Sequence, residues 1–192
     1  MGTSAPPDCT LCPLAVGRTQ VVQAEGSPNA RVFVVGEAPG PDEDKQGRPF
    51  VGRAGQILRK ALADAGFAAD EVWITNSVKC FPHTRVEGKA KIRAPTVQES
   101  DACRAHLAAE VRTLRPRLVV ALGRTAAATL LGTKAGPMAA MRGMVVPARA
   151  ELEGVDVFVT YHPSGLHYGH ATVEEFTGDL RSARELAQAV RA

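Results

Sequence analysis

Four cysteines, Cys9, Cys12, Cys80 and Cys103, are the residues of this chain best suited to holding an inorganic centre. Cys9-Thr10-Leu11-Cys12 is a C-x2-C step, a spacing that lets two thiolates grip one metal centre. The other two cysteines are single and far away. A zinc ribbon supplies a second C-x2-C step, and this chain has none. An iron–sulfur cluster accepts scattered ligands, because its corners lie several Å apart and tie distant segments together. Unrelated buried thiols are the third reading that spacing leaves open. A disulfide framework is not expected: MGTSAPPDCT has neither a basic n-region nor an apolar h-region, so nothing suggests secretion, and a cytoplasmic protein is the default.

A second group of residues sits where apolar runs end. Gly36–Gly52 reads GEAPGPDEDKQGRPFVG, a glycine-rich turn that matches neither G-x-G-x-x-G nor G-x4-G-K-[ST]. Its carboxylates, Glu37, Asp42, Glu43 and Asp44, would repel a phosphate, which argues against nucleotide binding. Phe50 in this stretch has core packing as its plain reading, and Asn76 at a strand end has turn formation. The run Lys79, Arg85, Lys89, Lys91 and Arg93 opposes one acid, Glu87. Such a run is either a solvated loop or one that follows a phosphate backbone. The net charge of +3, from 23 basic and 20 acidic side chains, does not decide between them.

These residues need a frame. Four short apolar runs, Arg31–Val35, Glu71–Thr75, Leu118–Leu122 and Asp156–Thr160, lack polar alternation and so read as parallel strands covered on both faces. Between them Ala54, Ile57, Leu58, Ala61, Leu62 and Ala65 recur at helical spacing, closed by Gly66. Thr96-x-x-Glu99 is a capping box that opens a second helix, and Pro116 follows it. Thr125–Leu131 with Gly132 gives a short helix, and Thr172-x-x-Glu175 caps a last one to Val190. A further strand is possible around Met144–Val146. The alternation predicts an α/β fold, a three-layer α/β/α sandwich with a central, mostly parallel four-stranded sheet, within a single domain over residues 1–192. Residues 1–30 form the N-terminal cysteine-bearing segment and 81–95 a basic loop insertion. With 45% apolar and 22% charged residues and no apolar run of membrane-spanning length, the chain has a globular composition. Ligands of such sheets bind beyond the carboxyl ends of the strands. That rule selects Gly36–Gly40, Asn76–Lys79, Gly123-Arg124 and Tyr161–Leu166.

The segments Gly36–Gln56 (GEAPGPDEDKQGRPFVGRAGQ), Val72–Cys80 (VWITNSVKC), Leu122–Gly132 (LGRTAAATLLG) and Tyr161–Leu166 (YHPSGL), with Cys9–Val22 (CTLCPLAVGRTQVV), together resemble the family 4 (iron–sulfur) uracil-DNA glycosylases. The resemblance covers essentially the full chain. It implies a monofunctional hydrolase of DNA repair that flips uracil from single- or double-stranded DNA and leaves an abasic site. It implies a [4Fe–4S] cluster on Cys9, Cys12, Cys80 and Cys103, with a structural task. Phe50 falls on the family's stacking ring and Asn76 on the reader of N3–H and O4, one amide supplying one acceptor and one donor. His162 falls on the donor to O2, where charge grows as the base leaves. Leu166 matches the wedge that fills the vacated stack. Glu37, Ala38 and Pro39 line the base, Glu37 through its backbone, and Glu43 walls the pocket near C5. Lys79, Arg85, Lys89, Lys91 and Arg93 are the expected DNA contacts, and a monomer suffices.

Two departures stand out. The superfamily's best-known branch has an aspartate where this chain has Ala38, as family 4 also lacks it; Glu37 and Glu43 are then the candidates to hold water or stabilise the cation. The loop at 81–95 is longer than usual, and HTRVEGKAKIR at His83–Arg93 resembles a branch that becomes covalently trapped on uracil-DNA through a histidine, where this chain has Arg93. Ordinary turnover is the expectation. A non-catalytic or trapping uracil-DNA binder, or an iron–sulfur accessory factor, are the alternatives. The remaining histidines, His83, His106, His167 and His170, are expected at the surface.

Overall fold

The computed structural model describes residues 5–189. Its strands are β1 (Glu25–Gly26), β2 (Val32–Gly36), β3 (Val72–Asn76), β4 (His83–Val86), β5 (Lys89–Ile92), β6 (Leu118–Leu122), β7 (Val145–Pro147) and β8 (Asp156–Thr160). Its helices are α1 (Pro41–Gln46), α2 (Arg53–Asp64), α3 (Val97–Leu114), α4 (Gly123–Leu131), α5 (Met138–Met141), α6 (Pro163–Leu166) and α7 (Val173–Ala189). The expected helix end at Val190 lies outside the described residues.

The four expected parallel strands pair in the order β3-β2-β6-β8, and the sheet has six strands rather than four. The two additions are antiparallel edges, β1 on β3 and β7 on β8. They are only two and three residues long; β7 is the further strand expected around Met144–Val146, whereas β1 is too short for an apolar period to register in sequence. Two central strands end one residue later than their apolar runs, because Gly36 and Asn76 form the last rung of the β2–β3 ladder.

The pleat divides the core. Val32, Val34, Val72, Ile74, Val120 and Phe158 point to α2 and α7; Phe33, Val35, Val119, Ala121, Val157 and Val159 point to α3 and α4. Both faces are therefore apolar, as the uninterrupted runs require. The capping boxes form as expected: Thr96 Oγ1 accepts from the Glu99 amide and Glu99 accepts from the Thr96 amide, and Thr172 and Glu175 repeat the exchange. No helix among the described residues is long and apolar enough to cross a membrane.

The basic loop is a two-stranded hairpin, β4–β5, separate from the main sheet. Its turn residues Glu87 and Gly88 both have positive φ, 51° and 77°, which suits a two-residue hairpin turn whose twist matches the strands. The polar, charged sequence hid this element, because both faces of the hairpin are largely exposed.

Lys79 is buried, 1% exposed, and its Nζ donates to Thr75 Oγ1 at 2.5 Å while lying 2.9 Å from Glu110 Oε1. Lys79 is thus not a DNA contact, as its position in the basic run had suggested: its ammonium faces a buried acid on α3. Among the described residues neither Glu110 oxygen has a partner of hydrogen-bonding geometry, so the buried pair is held by charge. Glu110→Ala leaves that ammonium unpaired, and the expected loss of about 3–5 kcal/mol lowers the melting temperature by roughly 10 °C. Calorimetry checks this; a shift under roughly 2 °C would show that the charge is not dependent on its partner.

Candidate active site

The site is built at the carboxyl edge of the sheet. Gly36 ends β2, and a side chain there has no room: an added Cβ would sit 2.4 Å from Asn76 Oδ1 and 2.5 Å from Phe50 Cζ. The glycine lets the two groups approach each other over the end of the strand. Ser77 N and Ser77 Oγ donate to the Gly36 carbonyl at 2.9 and 3.0 Å, and Val78 N donates to that of Glu37. The Asn76 segment is thereby tied to the turn that carries Glu37, Ala38 and Pro39.

Phe50 has φ 53° and is buried, an uncommon conformation for a bulky residue that needs outside support. Glu43 supplies it. One carboxylate oxygen accepts from the Val51 and Gly52 amides, both at 2.9 Å, and the other accepts from the Gly40 amide at 3.0 Å. Arg59 donates to the Pro49 and Phe50 carbonyls and is held by Glu25. Sequence reasoning missed Glu25, Arg59 and Gly36, because their roles consist entirely of long-range contacts.

His162 follows β8 and is the N-cap of α6. Its Nδ1 accepts from the Ser164 amide at 3.2 Å and lies 2.7 Å from Ser164 Oγ. Accepting at Nδ1 leaves the ring proton on Nε2. Burial pushes its pKa from 6.5 down to about 4, against a small opposing pull from Glu43. The imidazole is therefore a neutral donor. Its ring centre lies 6.0 Å from that of Phe50. Behind it, Arg142 grips Asp179 and Glu175 and lies over the Tyr161 ring, while Thr160 donates to Asp179 at 2.6 Å. This network on α7, invisible in the sequence, fixes the end of β8.

Glu37, Ala38, Pro39, Glu43, Phe50, Asn76 and His162 all line one cavity of about 700 Å³, within the usual range for a ligand site. Arg93, Arg124, Tyr168 and His170 line it too. Leu166 is half-buried and packs against the core cluster that contains Phe50. Arg85, Lys89 and Lys91 are exposed on the hairpin. Arg93 instead forms a bidentate pair with the buried Glu99, at 2.7 and 2.6 Å, which raises its already high pKa and commits its guanidinium to the protein.

Cys9, Cys12, Cys80 and Cys103 line a second, small cavity together with Arg18 and His106. The donor set is all thiol, and none of the four is in a disulfide. Among the described residues no three His, Cys, Asp or Glu side chains converge on a point for one metal ion. N–H groups approach the sulfurs: Lys79 N to Cys103 at 3.3 Å, and Arg18 to Cys80 at 3.6 Å. His106, expected at the surface, is half-buried with Nε2 3.3 Å from Cys9 Sγ. Burial raises both Cys80 and Cys103, the latter to about 11. Ala38 packs against this cluster while lining the larger cavity, so the two sites share a wall.

The low pKa of His162 has a signed consequence. As pH falls below 6.5 the unfolded chain takes up this proton first, so the fold loses stability progressively from 6.5 toward 4. Ring-nitrogen NMR at pH 6 should show a neutral His162 with the proton on Nε2; a titration midpoint near 6.5 would contradict its enclosure.

The family model described as the uracil DNA glycosylase superfamily matches residues 23–184. A type-4 uracil-DNA glycosylase of Thermotoga maritima is 41% identical over 158 residues, covering 82% of this chain and 77% of its own. The type-4 uracil-DNA glycosylase of Pyrobaculum aerophilum is 38% identical over 90% of this chain and 86% of its own, and that of Archaeoglobus fulgidus 34% over 93% and 87%. With the ring, amide and imidazole gathered at the sheet's carboxyl edge, this match settles the family: the chain belongs to the uracil DNA glycosylase superfamily, alongside the type-4 glycosylases.

Proposed function

We propose that this protein excises uracil from DNA, single- or double-stranded, by hydrolysing the N-glycosidic bond and leaving an abasic site. The observation that carries the reading is the meeting of Phe50, Asn76 and a neutral His162 in one cavity. A flipped uracil stacks on Phe50, and the Asn76 amide pairs with N3–H and O4, a pattern that cytosine's amino group reverses. Bond cleavage leaves an oxocarbenium-like sugar and a uracil anion. The His162 Nε2–H donates to O2 as that charge develops, a contribution of about 3–4 kcal/mol if it acts like an oxyanion-hole donor. Being neutral, the imidazole stabilises the anion without having to give up a proton.

The geometry also separates the two acids. Both Glu43 oxygens are committed to backbone amides, so Glu43 holds the Phe50 turn and walls the base. Glu37 is half-exposed in the cavity lining, which supports its carboxylate as the group that holds the attacking water or stabilises the sugar cation. Among the described residues that line the cavity there is no lysine, which supports a monofunctional hydrolase. Arg85, Lys89 and Lys91 supply phosphate contacts.

The all-thiol second cavity fits a [4Fe–4S] cluster on Cys9, Cys12, Cys80 and Cys103. Four sulfurs around a cavity, not converging on one ion, suit a cubane whose corners lie apart, and the approaching N–H groups offset thiolate charge. When bound, the cluster supplies a structural cross-link and no redox step. In this reading residues 1–192 work as one domain and as a monomer.

A uracil-containing oligonucleotide treated with the protein and then hot alkali tests the activity: cleavage at uracil supports it. Intact oligonucleotide with an SDS-resistant adduct would instead identify a covalent trap. Asn76→Ala and His162→Ala should each lower the excision rate by ~10²-fold or more with the broad absorbance near roughly 400 nm retained; near-normal rates in both remove the site assignment. Gly36→Ala, which drives Asn76 and Phe50 apart, should lower the rate by about as much.

A further inference from the structure

The base-flipping reading requires something to occupy the gap that the extruded nucleotide leaves, and Leu166 does not stand free to do so. It is half-buried and packed against the core cluster that contains Phe50. What projects at the cavity rim is Ile92, on the last position of the hairpin, 64% exposed. An exposed isoleucine alone means little. Its setting gives it meaning. It lines the same cavity as Phe50, Asn76 and His162, on an element made otherwise of cations and small groups.

We propose that Ile92 is an apolar wedge, carried by the β4–β5 hairpin, that enters the DNA stack beside the flipped uracil. The next residue, Arg93, is clasped by the buried Glu99 on α3, and its amide donates to the Pro82 carbonyl at 3.2 Å. The hairpin therefore leaves the body of the protein from a rigid base, and Ile92 sits one residue from that anchor. Register puts Ile92 opposite His83 and Ala90 opposite Arg85, so Arg85 shares its face. His83 stacks on Phe81 with ring centres 4.8 Å apart, which steadies the other strand. Lys89 and Lys91 lie on the opposite face, within reach of phosphates on the other side of a ribbon laid in a groove. Inserting an apolar side chain between base steps unstacks them and stabilises the flipped state, and a cation beside it holds the backbone in place. The role assigned to Arg93 here is that of an anchor.

This proposal rests on the uracil-excision reading, and its test keeps the two apart. Single-turnover excision is compared on single-stranded and duplex U·G oligonucleotides for wild type, Ile92→Ala, Ile92→Leu and Leu166→Ala. Fluorescence of 2-aminopurine placed beside uracil reports unstacking whether or not the base is cut. A single strand has no duplex stack to open, so Ile92→Ala should lower the duplex-to-single-strand rate ratio by about tenfold, with a matching loss of the fluorescence rise, and Ile92→Leu should restore both. An unchanged ratio and fluorescence in Ile92→Ala, or the whole effect appearing in Leu166→Ala alone, overturns the wedge. Should wild type excise no uracil, the activity reading falls and the fluorescence decides: a rise lost in Ile92→Ala supports the wedge, while no rise, or an equal one, overturns it.

Discussion

One carboxylate holds the active edge together. Glu43 accepts three backbone N–H groups from two segments, Gly40 on one side and Val51 and Gly52 on the other. Between those segments the chain must turn through Phe50 in a left-handed conformation, which costs of order 1–3 kcal/mol for a non-glycine residue. Charge-assisted hydrogen bonds to the flanking amides offset that cost. The reward is positional: the Phe50 ring is held over the end of β2, where Gly36 leaves it room beside Asn76. A base that enters this cavity meets a surface already arranged, so little ordering remains to be done when it binds.

The cysteine cavity and the active cavity form one mechanical unit. The segment from Asn76 to Cys80 ends β3 with the amide that lines the active cavity and continues, within four residues, to a thiol. Helix α3 runs alongside and carries Glu99, Cys103, His106 and Glu110. In turn these residues clasp the hairpin through Arg93, contribute a thiol, approach Cys9 Sγ, and face Lys79. A centre bound to the four thiols would thus brace the same helix that anchors the hairpin and the same segment that presents Asn76. Such a brace would serve a hydrolytic reaction with no electrons to move.

Polar groups in this fold are few but seldom idle. Thr160, Asp179 and Arg142 close the end of β8, so that Tyr161 and His162 leave the sheet in one direction. Enclosure then keeps the His162 ring neutral. A charged imidazolium would be a stronger donor in the ground state, but its burial without a paired acid is costly. In the proposed reaction a neutral ring would gain most of its interaction only as the leaving base becomes an anion, so its effect would fall on the transition state.

Much of this was legible in the chain itself. Uninterrupted apolar runs mark strands covered on both faces, and the Thr96–Glu99 and Thr172–Glu175 boxes mark helix starts, because these signals are local and periodic. The strand-end rule located the site, since loops at the carboxyl edge of a parallel sheet must converge whatever their sequence. The edge strand β1 makes only two rungs and leaves no local signal, while β7, three rungs long, shows in sequence only as the short apolar step at Met144–Val146. Lys79 differs from its expected role as a DNA contact for a related cause: charge in a basic run looks alike whether it faces water or Glu110, and only the packing of α3 against the segment that follows β3 distinguishes them. Sequence alone determined the four central strands, the main helices between them and the sheet edge on which the candidate site lies. Tertiary structure decided which acids are free, which cations are committed, which apolar side chain stands at the rim and which proton His162 keeps. Those are properties of partners brought together across the chain, and no local pattern of residue types encodes them.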